Sequence, residues 1–284
     1  MSASSTPLPR KAEPPRIRPD LWWVPRAIML GLLAFIIFGP LTNLVLWTVA
    51  ERWYFPHALP LEYGFSYWER VFSPRGNAME SLANSVLVAS LTVVLAIALA
   101  VPAGYALARL RLPFRALILL AFLIPQAFPN LPVYVNIARL FYQIGLNGTV
   151  IGVVLVHVTH GLVYAVWIAT AAFSAVDSEL EQAARSLGAG AFRAFRDVTL
   201  PLAAPGLLAS AIFVFLESLD EFTGSYFVGA PDVNLLPLLL YTAGAGGNYQ
   251  VASITALLLL IPSIAFMLVV ERFLRSDVLS KVGH

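Results

Sequence analysis

The chain has 284 residues, of which 59% are hydrophobic and 12% charged. Because soluble domains carry roughly 25% charged residues, this composition excludes a soluble globular protein and predicts a chain whose main solvent is the lipid bilayer. The net charge of +2 gives no indication of nucleic-acid binding, and the absence of cysteine excludes disulfides, Cys-based zinc sites, iron–sulfur clusters and a thiol nucleophile.

The first eighty residues contain a tail, one apolar run and a polar connection. Residues 1–20 are rich in proline and basic residues without an apolar period, which predicts a disordered tail. The apolar run 27–50 has the length of a full membrane span and lacks a small-residue cleavage site, so we expect a retained helix. Residues 51–80 mix charges with tryptophan and tyrosine, which is typical of a loop at the membrane interface.

Five further apolar runs are each long enough to cross the hydrocarbon core. They are residues 81–108, 116–142, 149–173, 204–228 and 251–273. With the first run, they predict an all-α membrane protein of about six transmembrane helices, in which residues 21–284 form one transmembrane domain. The run 116–142 carries Pro125, Pro129 and Pro132. Because broken helix at membrane depth survives only where protein or a cavity shields it, we expect this span inside the bundle.

The basic residues divide unequally between the two sides of the membrane that six spans define. Of the 18 lysines and arginines, all but four fall on the side that holds both termini and residues 174–203. The four exceptions are Arg52, Arg70, Arg75 and Arg139. The positive-inside rule therefore predicts that both termini and residues 174–203 are cytoplasmic.

Residues 177–203, which we call the loop segment, have the pattern of two short helices joined by a turn. Ser178 and Glu181 form a capping-box pattern, Gly188 and Gly190 end the first helix, and Pro201 is expected to stop the second. The apolar residues on one face of each helix are Leu180, Ala183, Ala184 and Leu187, then Phe192, Phe195 and Val198. This chemistry leaves two interpretations open: an amphipathic hairpin lying on lipid, or a docking element for a cytoplasmic partner.

The loop segment resembles the signature loop of binding-protein-dependent permeases of type I ABC importers, which reads Glu-Ala-Ala, three residues, Gly, nine residues and Ile-x-Leu-Pro. The spacing is intact, with Gln182 at the position of the motif's glutamate and Glu181 one residue earlier. The resemblance favours the docking interpretation, as a coupling helix between helices 4 and 5. The residues it implies for ATPase coupling are Glu181, Gln182, Ala183, Ala184, Gly188, Phe192, Phe195, Leu200 and Pro201.

The same resemblance, which extends over the second, third and fifth spans, implies how the chain works. We expect a multi-pass subunit of a bacterial cytoplasmic (inner) membrane that pairs with a second homologous permease, two ATP-binding-cassette ATPases and an extracytoplasmic solute-binding protein. No GxxxxGK[ST] sequence is present, so ATP and Mg are expected in the ATPase subunits. This chain is expected to bind no cofactor and no nucleic acid. It is also expected to have no catalytic residue.

Ionisable residues within a membrane span are costly, and the fifth span contains Glu217, Asp220 and Glu221. At positions i, i+3 and i+4 they are expected on one helix face, where a cationic solute would offset their mutual repulsion. An arginine of the partner permease, or a bend that admits water, would do the same. The candidate solute pathway comprises Glu217, Asp220, Glu221, Phe222 and Tyr226.

The pattern of this region favours a polyamine or a related amine as the solute. The residues that resemble polyamine, opine, phosphonate and iron permeases are Ser218–Phe222, Tyr226, Gly229, Pro231, Leu236 and Pro237. A sugar, a phosphonate, an opine or iron remain alternatives within the importer class. From another class, a proton-coupled secondary transporter would also use these carboxylates. The sequence motifs of a membrane hydrolase are absent from this chain.

Other polar and aromatic residues in the spans are interpreted mainly as structural. His157 and His160 lie three apart, a spacing that permits a metal site on one helix face, but no acidic or cysteine partner is nearby in the sequence. We expect hydrogen bonds between helices instead, and the same for Asn84, Asn130 and Asn136. Tyr134 and Phe215 are expected to pack, with stacking on a cation as the alternative.

Overall fold

The computed structural model describes residues 23–54 and 56–282, with side chains as far as Arg272. The predicted disordered tail, residues 1–20, lies outside the described residues. Residues up to Val45 form one unit and residues from Leu46 onward another, so the first helix is described by itself as far as Val45.

The described part of the chain is helical apart from one small hairpin. The helices are α1 (Trp23–Thr48), α2 (Ser66–Phe72), α3 (Ala78–Arg109), α4 (Arg115–Ala127), α5 (Asn130–Ile144), α6 (Val150–Ala175), α7 (Ser178–Ser186), α8 (Ala191–Ala194), α9 (Leu200–Asp220), α10 (Thr223–Val228), α11 (Leu236–Ala245) and α12 (Tyr249–Val282). A π-helical turn, Phe195–Thr199, joins α8 to α9. In the predicted interface loop, strand β1 (Ala50–Arg52) pairs antiparallel with β2 (Glu62–Tyr63).

Five helical stretches within the described ranges are long and apolar enough to cross a membrane, and a bent pair makes a possible sixth. The five are α1, α3, α6, α12 and the continuous helical stretch Ala191–Asp220 that ends with α9. The predicted all-α fold with about six spans is confirmed.

The third predicted span, residues 116–142, consists of two helices, α4 and α5, that meet at 92°. Helical geometry is disfavoured for the residue before a proline, and Phe128 before Pro129 is extended, with φ −93° and ψ 146°. The expectation that this span lies inside the bundle is wrong for the single chain, because α4 buries no residue and α5 buries only Tyr134.

The fifth predicted span, residues 204–228, is also broken. Helix α9 ends at Asp220, since Glu221 leaves helical geometry with ψ 102°, and α10 begins at Thr223. Pro201 does not stop the helix as predicted. A proline ring clashes with the carbonyl four residues earlier in an α-helix, and the wider π-helical turn Phe195–Thr199 comes just before Pro201.

Helices α3, α6 and α9 build the main core from small residues. Its fully buried members include Ala96 and Ala100 of α3, Ala165 and Ala169 of α6, and Val214 of α9. At Gly104 of α3, an added Cβ would come within 2.8 Å of the Ala169 Cβ, so the two helices touch nearly backbone to backbone. Lipid-embedded helices gain most from such close van der Waals contact, because lipid tails offer them no hydrophobic driving force.

The end of α3 opposite the loop segment is joined to the connection between α10 and α11. The Asn84 amide donates a hydrogen bond to the Asn234 carbonyl at 3.2 Å, and the Leu236 N–H donates to the Ser85 hydroxyl at 2.9 Å. Helix α3 therefore positions the start of α11.

The close packing at Gly104 can be tested with a substitution that adds only bulk. We expect Gly104→Val to lower the thermal unfolding midpoint of the purified complex, since overpacking costs roughly 1–3 kcal/mol. The matched control is Gly31→Val in α1, where an added Cβ meets nothing within 4 Å. Equal midpoints for the two variants would contradict the close approach of α3 and α6.

Candidate functional site

The first helix of the loop segment is capped by a residue other than the predicted one. The Asp177 carboxylate accepts a hydrogen bond from the Glu179 N–H at 2.9 Å and caps α7. Ser178 is therefore not the cap, and the predicted capping box with Glu181 is wrong. The Glu181 side chain is free to turn toward the bundle.

Gly188 ends α7 as predicted. Its φ is +92°, and the Ala189 N–H donates to the Ala184 carbonyl at 3.1 Å, as in the turns that close many helices with glycine. The turn places Leu187 in the open, with 90% of its surface exposed. Phe192, at the start of α8, is 74% exposed.

We call Leu180, Leu187 and Phe192 the apolar surface of the loop segment; all three are exposed. Gln182, Ala183, Gly188 and Pro201 are exposed as well, and Ala184 is half-buried. Large apolar side chains standing free of the fold in this way are typical of surfaces that another molecule covers.

Phe195 does not share a face with Phe192, in contrast to the predicted pattern. Its ring packs against Tyr105 and Phe173, with centroids 4.8 and 6.0 Å away. The π-helical turn that begins at Phe195 changes the period, so that spacing by three no longer keeps residues on one side. Phe195 and the half-buried Leu200 hold the loop segment to the core.

Glu181 is buried, with 6% of its surface exposed, and its carboxylate joins three elements. Oε1 accepts hydrogen bonds from the Tyr105 hydroxyl of α3 at 2.7 Å and from Arg185 of α7 at 2.6 Å. Oε2 accepts from the Thr199 hydroxyl of the π-helical turn at 2.9 Å. Arg109 of α3 lies 3.9 Å from Oε2 and donates to the Val176 carbonyl at 2.7 Å. We call these side chains the Glu181 network.

The network keeps Glu181 ionised. Burial by itself raises the pKa of this carboxyl, but the hydrogen bonds from Tyr105 and Thr199 and the charge of Arg185 outweigh burial, and the pKa lies below its ordinary value. Hydrogen bonds to an ionised acceptor are the stronger kind. The carboxylate is therefore a firm connection between the loop segment and α3.

The predicted acidic residues separate in the structure. Glu217 and Asp220 line a groove of about 520 Å³ between α9, α11 and α12. The other lining residues are apolar except for Ser263: Phe213, Leu216, Leu219, Leu240, Ala256, Leu259 and Leu260. Neither carboxylate has a hydrogen bond or an ion pair within the described residues.

Glu221 does not share a face with the other two carboxylates, because α9 ends one residue before it. Its side chain is buried, and its Oε1 accepts the Gly224 N–H at 2.7 Å in the first turn of α10. A carboxylate at a helix N-terminus is favourable, whereas carboxylates at the C-terminal end of α9 are not. Glu221 thus has a structural role, and the groove keeps Glu217 and Asp220.

The two histidines of α6 make the hydrogen bonds between helices that the sequence predicts. His157 bonds to the Ser218 hydroxyl of α9 at 2.7 Å through Nδ1 and to the Ser225 hydroxyl of α10 at 2.8 Å through Nε2. His160 Nδ1 lies 3.0 Å from the Tyr134 hydroxyl of α5. Both ring nitrogens of His157 are therefore engaged by serines.

Three aromatic rings, from the connection between α9 and α10, from α10 and from α11, pack together. The rings of Phe222 and Tyr241 lie 4.4 Å apart, and that of Tyr226 lies 5.6 Å from Phe222. We call these three residues the aromatic cluster. Tyr226 and Tyr241 are about half exposed, which leaves ring surface open to a ligand.

Sequence reasoning missed Tyr105, Arg109 and Thr199 as partners of Glu181, and Tyr241 as a member of the aromatic cluster. Tyr105 lies 76 positions from Glu181 in the sequence and Thr199 lies 18 positions from it, and no periodic pattern links them. Only an alignment or a structure reveals such contacts.

The turn at Gly188 can be tested against a neighbouring glycine. We expect Gly188→Ala to destabilise the loop segment by roughly 1–2 kcal/mol, because a side chain disfavours the left-handed region. Gly190→Ala is the matched control, since its φ is −66° and neither glycine has an atom within 4 Å of an added Cβ. Limited proteolysis of the loop measures the difference, and equal rates would contradict the strained turn.

Comparisons with known proteins agree with this architecture. Residues 93–276 match the family described as binding-protein-dependent transport system inner membrane component. The trehalose transport permease SugB of Mycobacterium tuberculosis is 31% identical over 75% of this chain and 80% of its own. The maltose/maltodextrin permease MalG of Salmonella typhimurium is 32% identical over 68% and 72%.

A solved structure shares the fold at low sequence identity. A chain of a bacterial ABC transporter that imports the acidic polysaccharide alginate superposes with a TM-score of 0.68, at 19% identity, over 92% of this chain and 99% of that one. The matched family region covers well over half of the sequence. The chain belongs to the family of inner membrane components of binding-protein-dependent transport systems and is a type I ABC importer permease.

Proposed function

We propose that this permease imports a hydroxylated, carbohydrate-like solute, handed over by an extracytoplasmic binding protein and moved by ATPase subunits that dock on the loop segment. The observation that carries the docking part is the exposed apolar surface of Leu180, Leu187 and Phe192. It stands on a segment that the Glu181 network holds to the bundle.

The sequence supports a docked ATPase. The chain has no phosphate-binding GxxxxGK[ST] loop, so the ATP that drives an ABC importer is hydrolysed by another subunit. That subunit must contact the permease outside the bilayer, on the cytoplasmic side. Arg109, Arg185, Arg193 and Arg196 lie in or beside the loop segment, and their charge supports a cytoplasmic location for it and for the termini.

A second permease subunit is the expected partner within the membrane. Helix α4 buries none of its side chains within this chain, yet it consists almost entirely of apolar residues. Leu117, Leu120 and Ile124 are among its exposed side chains. A homologous or identical permease packed beside this chain would enclose the space into which the proline-broken pair α4 and α5 faces.

The groove and the aromatic cluster support a carbohydrate-like solute. Sugars present apolar C–H faces and a rim of hydroxyls, and binding sites meet them with flat aromatic rings and a few polar groups. The aromatic cluster offers rings, and Glu217 and Asp220 offer acceptors for hydroxyl donors. The names of the similar trehalose and maltose permeases favour the same class.

The predicted polyamine finds no support in those relatives, but one observation keeps a cationic amine as the second candidate. Glu217 and Asp220 face the groove with no cation paired to them within the described residues. Glu217 is half-buried, and a carboxylate away from water is most stable beside a positive charge, which an amine solute would bring.

Docking can be tested by placing a charge on the apolar surface. We expect Phe192→Asp to weaken co-purification of the ATPase by about tenfold or more, because desolvating an unpaired carboxylate opposes docking at an apolar contact. The control is Phe65→Asp, where a phenylalanine that is 66% exposed precedes α2, remote from the loop segment. Normal ATPase recovery with Phe192→Asp would contradict the docking surface.

The solute class can be tested in the groove with a change of charge alone. For a carbohydrate we expect Glu217→Gln to reduce uptake only about fivefold, since an amide still forms hydrogen bonds and loses roughly 1 kcal/mol. A cationic amine would lose an ion pair, and uptake would fall about a hundredfold.

The assay is binding-protein-dependent ATPase activity and uptake in nanodiscs and vesicles, with trehalose, maltose, putrescine and spermidine as probes. Glu80→Gln, an exposed glutamate in the first turn of α3, is the matched control. Stimulation by putrescine or spermidine without stimulation by either sugar would replace the carbohydrate assignment with the amine.

A further inference from the structure

We infer that Glu181 is a positioning residue for transport, whose carboxylate joins the loop segment to α3 so that movement of a docked ATPase reaches the solute groove. The inference rests on the proposed function. It goes beyond that function by giving Glu181 an internal task in place of a contact with the ATPase.

The first step of the argument is geometric. The Glu181 carboxylate accepts hydrogen bonds from Tyr105 of α3, Arg185 of α7 and Thr199 of the π-helical turn, at 2.6–2.9 Å. With 6% of its surface exposed, Glu181 has little left to offer a partner. The neighbouring Gln182 is exposed and faces outward at the position of the motif's glutamate.

The second step concerns the contacts that back up the carboxylate. Arg109 of α3 donates to the Val176 carbonyl at 2.7 Å, next to the start of α7. Phe195 packs its ring on Tyr105. Both ends of the loop segment are therefore joined to the last two turns of α3, and the polar contacts there come from the Tyr105 hydroxyl and the Arg109 guanidinium.

The third step follows α3 to its other end. With 32 residues the helix is about 48 Å long and continues through Pro102. Its close packing on α6 at Ala100 and Gly104 supports it on both sides of that proline. Asn84 and Ser85 hold the start of α11 through Asn234 and Leu236. Leu240 of α11 lines the groove. A displacement of the loop segment can therefore pass along α3 to α11, which contributes Leu240 to the groove wall.

The test uses the assembled transporter and a probe that requires no knowledge of the solute. Because the chain has no cysteine, Ser263→Cys places a single thiol in the groove, and its maleimide labelling rate is measured without nucleotide and with ATP plus vanadate. In this background we compare Glu181→Gln, Tyr105→Phe and the exposed control Glu179→Gln. Tyr105→Phe keeps the ring contacts and removes only the hydroxyl.

We expect both network variants to retain the ATPase and its hydrolysis while the ATP-dependent change in labelling falls about three- to tenfold. The two substitutions together are expected to do no more than Glu181→Gln alone, because they remove one shared contact. Glu179→Gln should behave as the parent.

Two results would overturn the account in distinguishable ways. An unchanged ATP-dependent labelling response in Glu181→Gln and Tyr105→Phe overturns the role of Glu181 and leaves the proposed function standing. Failure of the parent complex to retain an ATPase overturns the proposed function itself. If Glu181→Gln does not assemble, Tyr105→Phe decides the matter alone.

Discussion

A buried carboxylate is the connection on which this permease depends outside the lipid. Glu181 accepts hydrogen bonds from three separate elements, and its pKa is held below the ordinary value although burial opposes ionisation. Removing a partner would leave a charge or a donor unsatisfied, which is costly away from water. The placement of the loop segment follows from this network and from the packing of Phe195 and Leu200 on the core.

Within the membrane the structure relies on close contact between small residues. Gly104 and Ala169 allow α3 and α6 to approach one another, and buried alanines continue the contact along both helices. The histidine and serine hydrogen bonds among α6, α9 and α10 fix the break in the fifth span. That break directs Glu217 and Asp220 into the groove and turns Glu221 inward. The chain thus combines a closely packed core with a broken span beside it.

The sequence predicted much of this because its strongest signals are physical. Apolar runs of the right length locate the spans, and the spacing from Ala183 to Pro201 identified the loop segment. Gly188 ends the first helix of the loop segment as predicted, with a positive φ. The errors fall where the local pattern leaves the backbone geometry open: Pro201 follows a π-helical turn, α9 ends at Asp220, and α4 buries no residue within the chain. The Glu181 network joins residues up to 76 positions apart, which no local pattern reveals.

The central claim is that the loop segment and α3 move as one body, and a distance within the chain tests it most directly. Spin labels at Glu179→Cys in α7 and Leu99→Cys in α3, both exposed positions, report that distance in the assembled transporter before and after ATP binding. The account predicts the same distance distribution in both states. A shift of several ångströms on ATP binding would contradict it, because the loop segment would then move independently of α3.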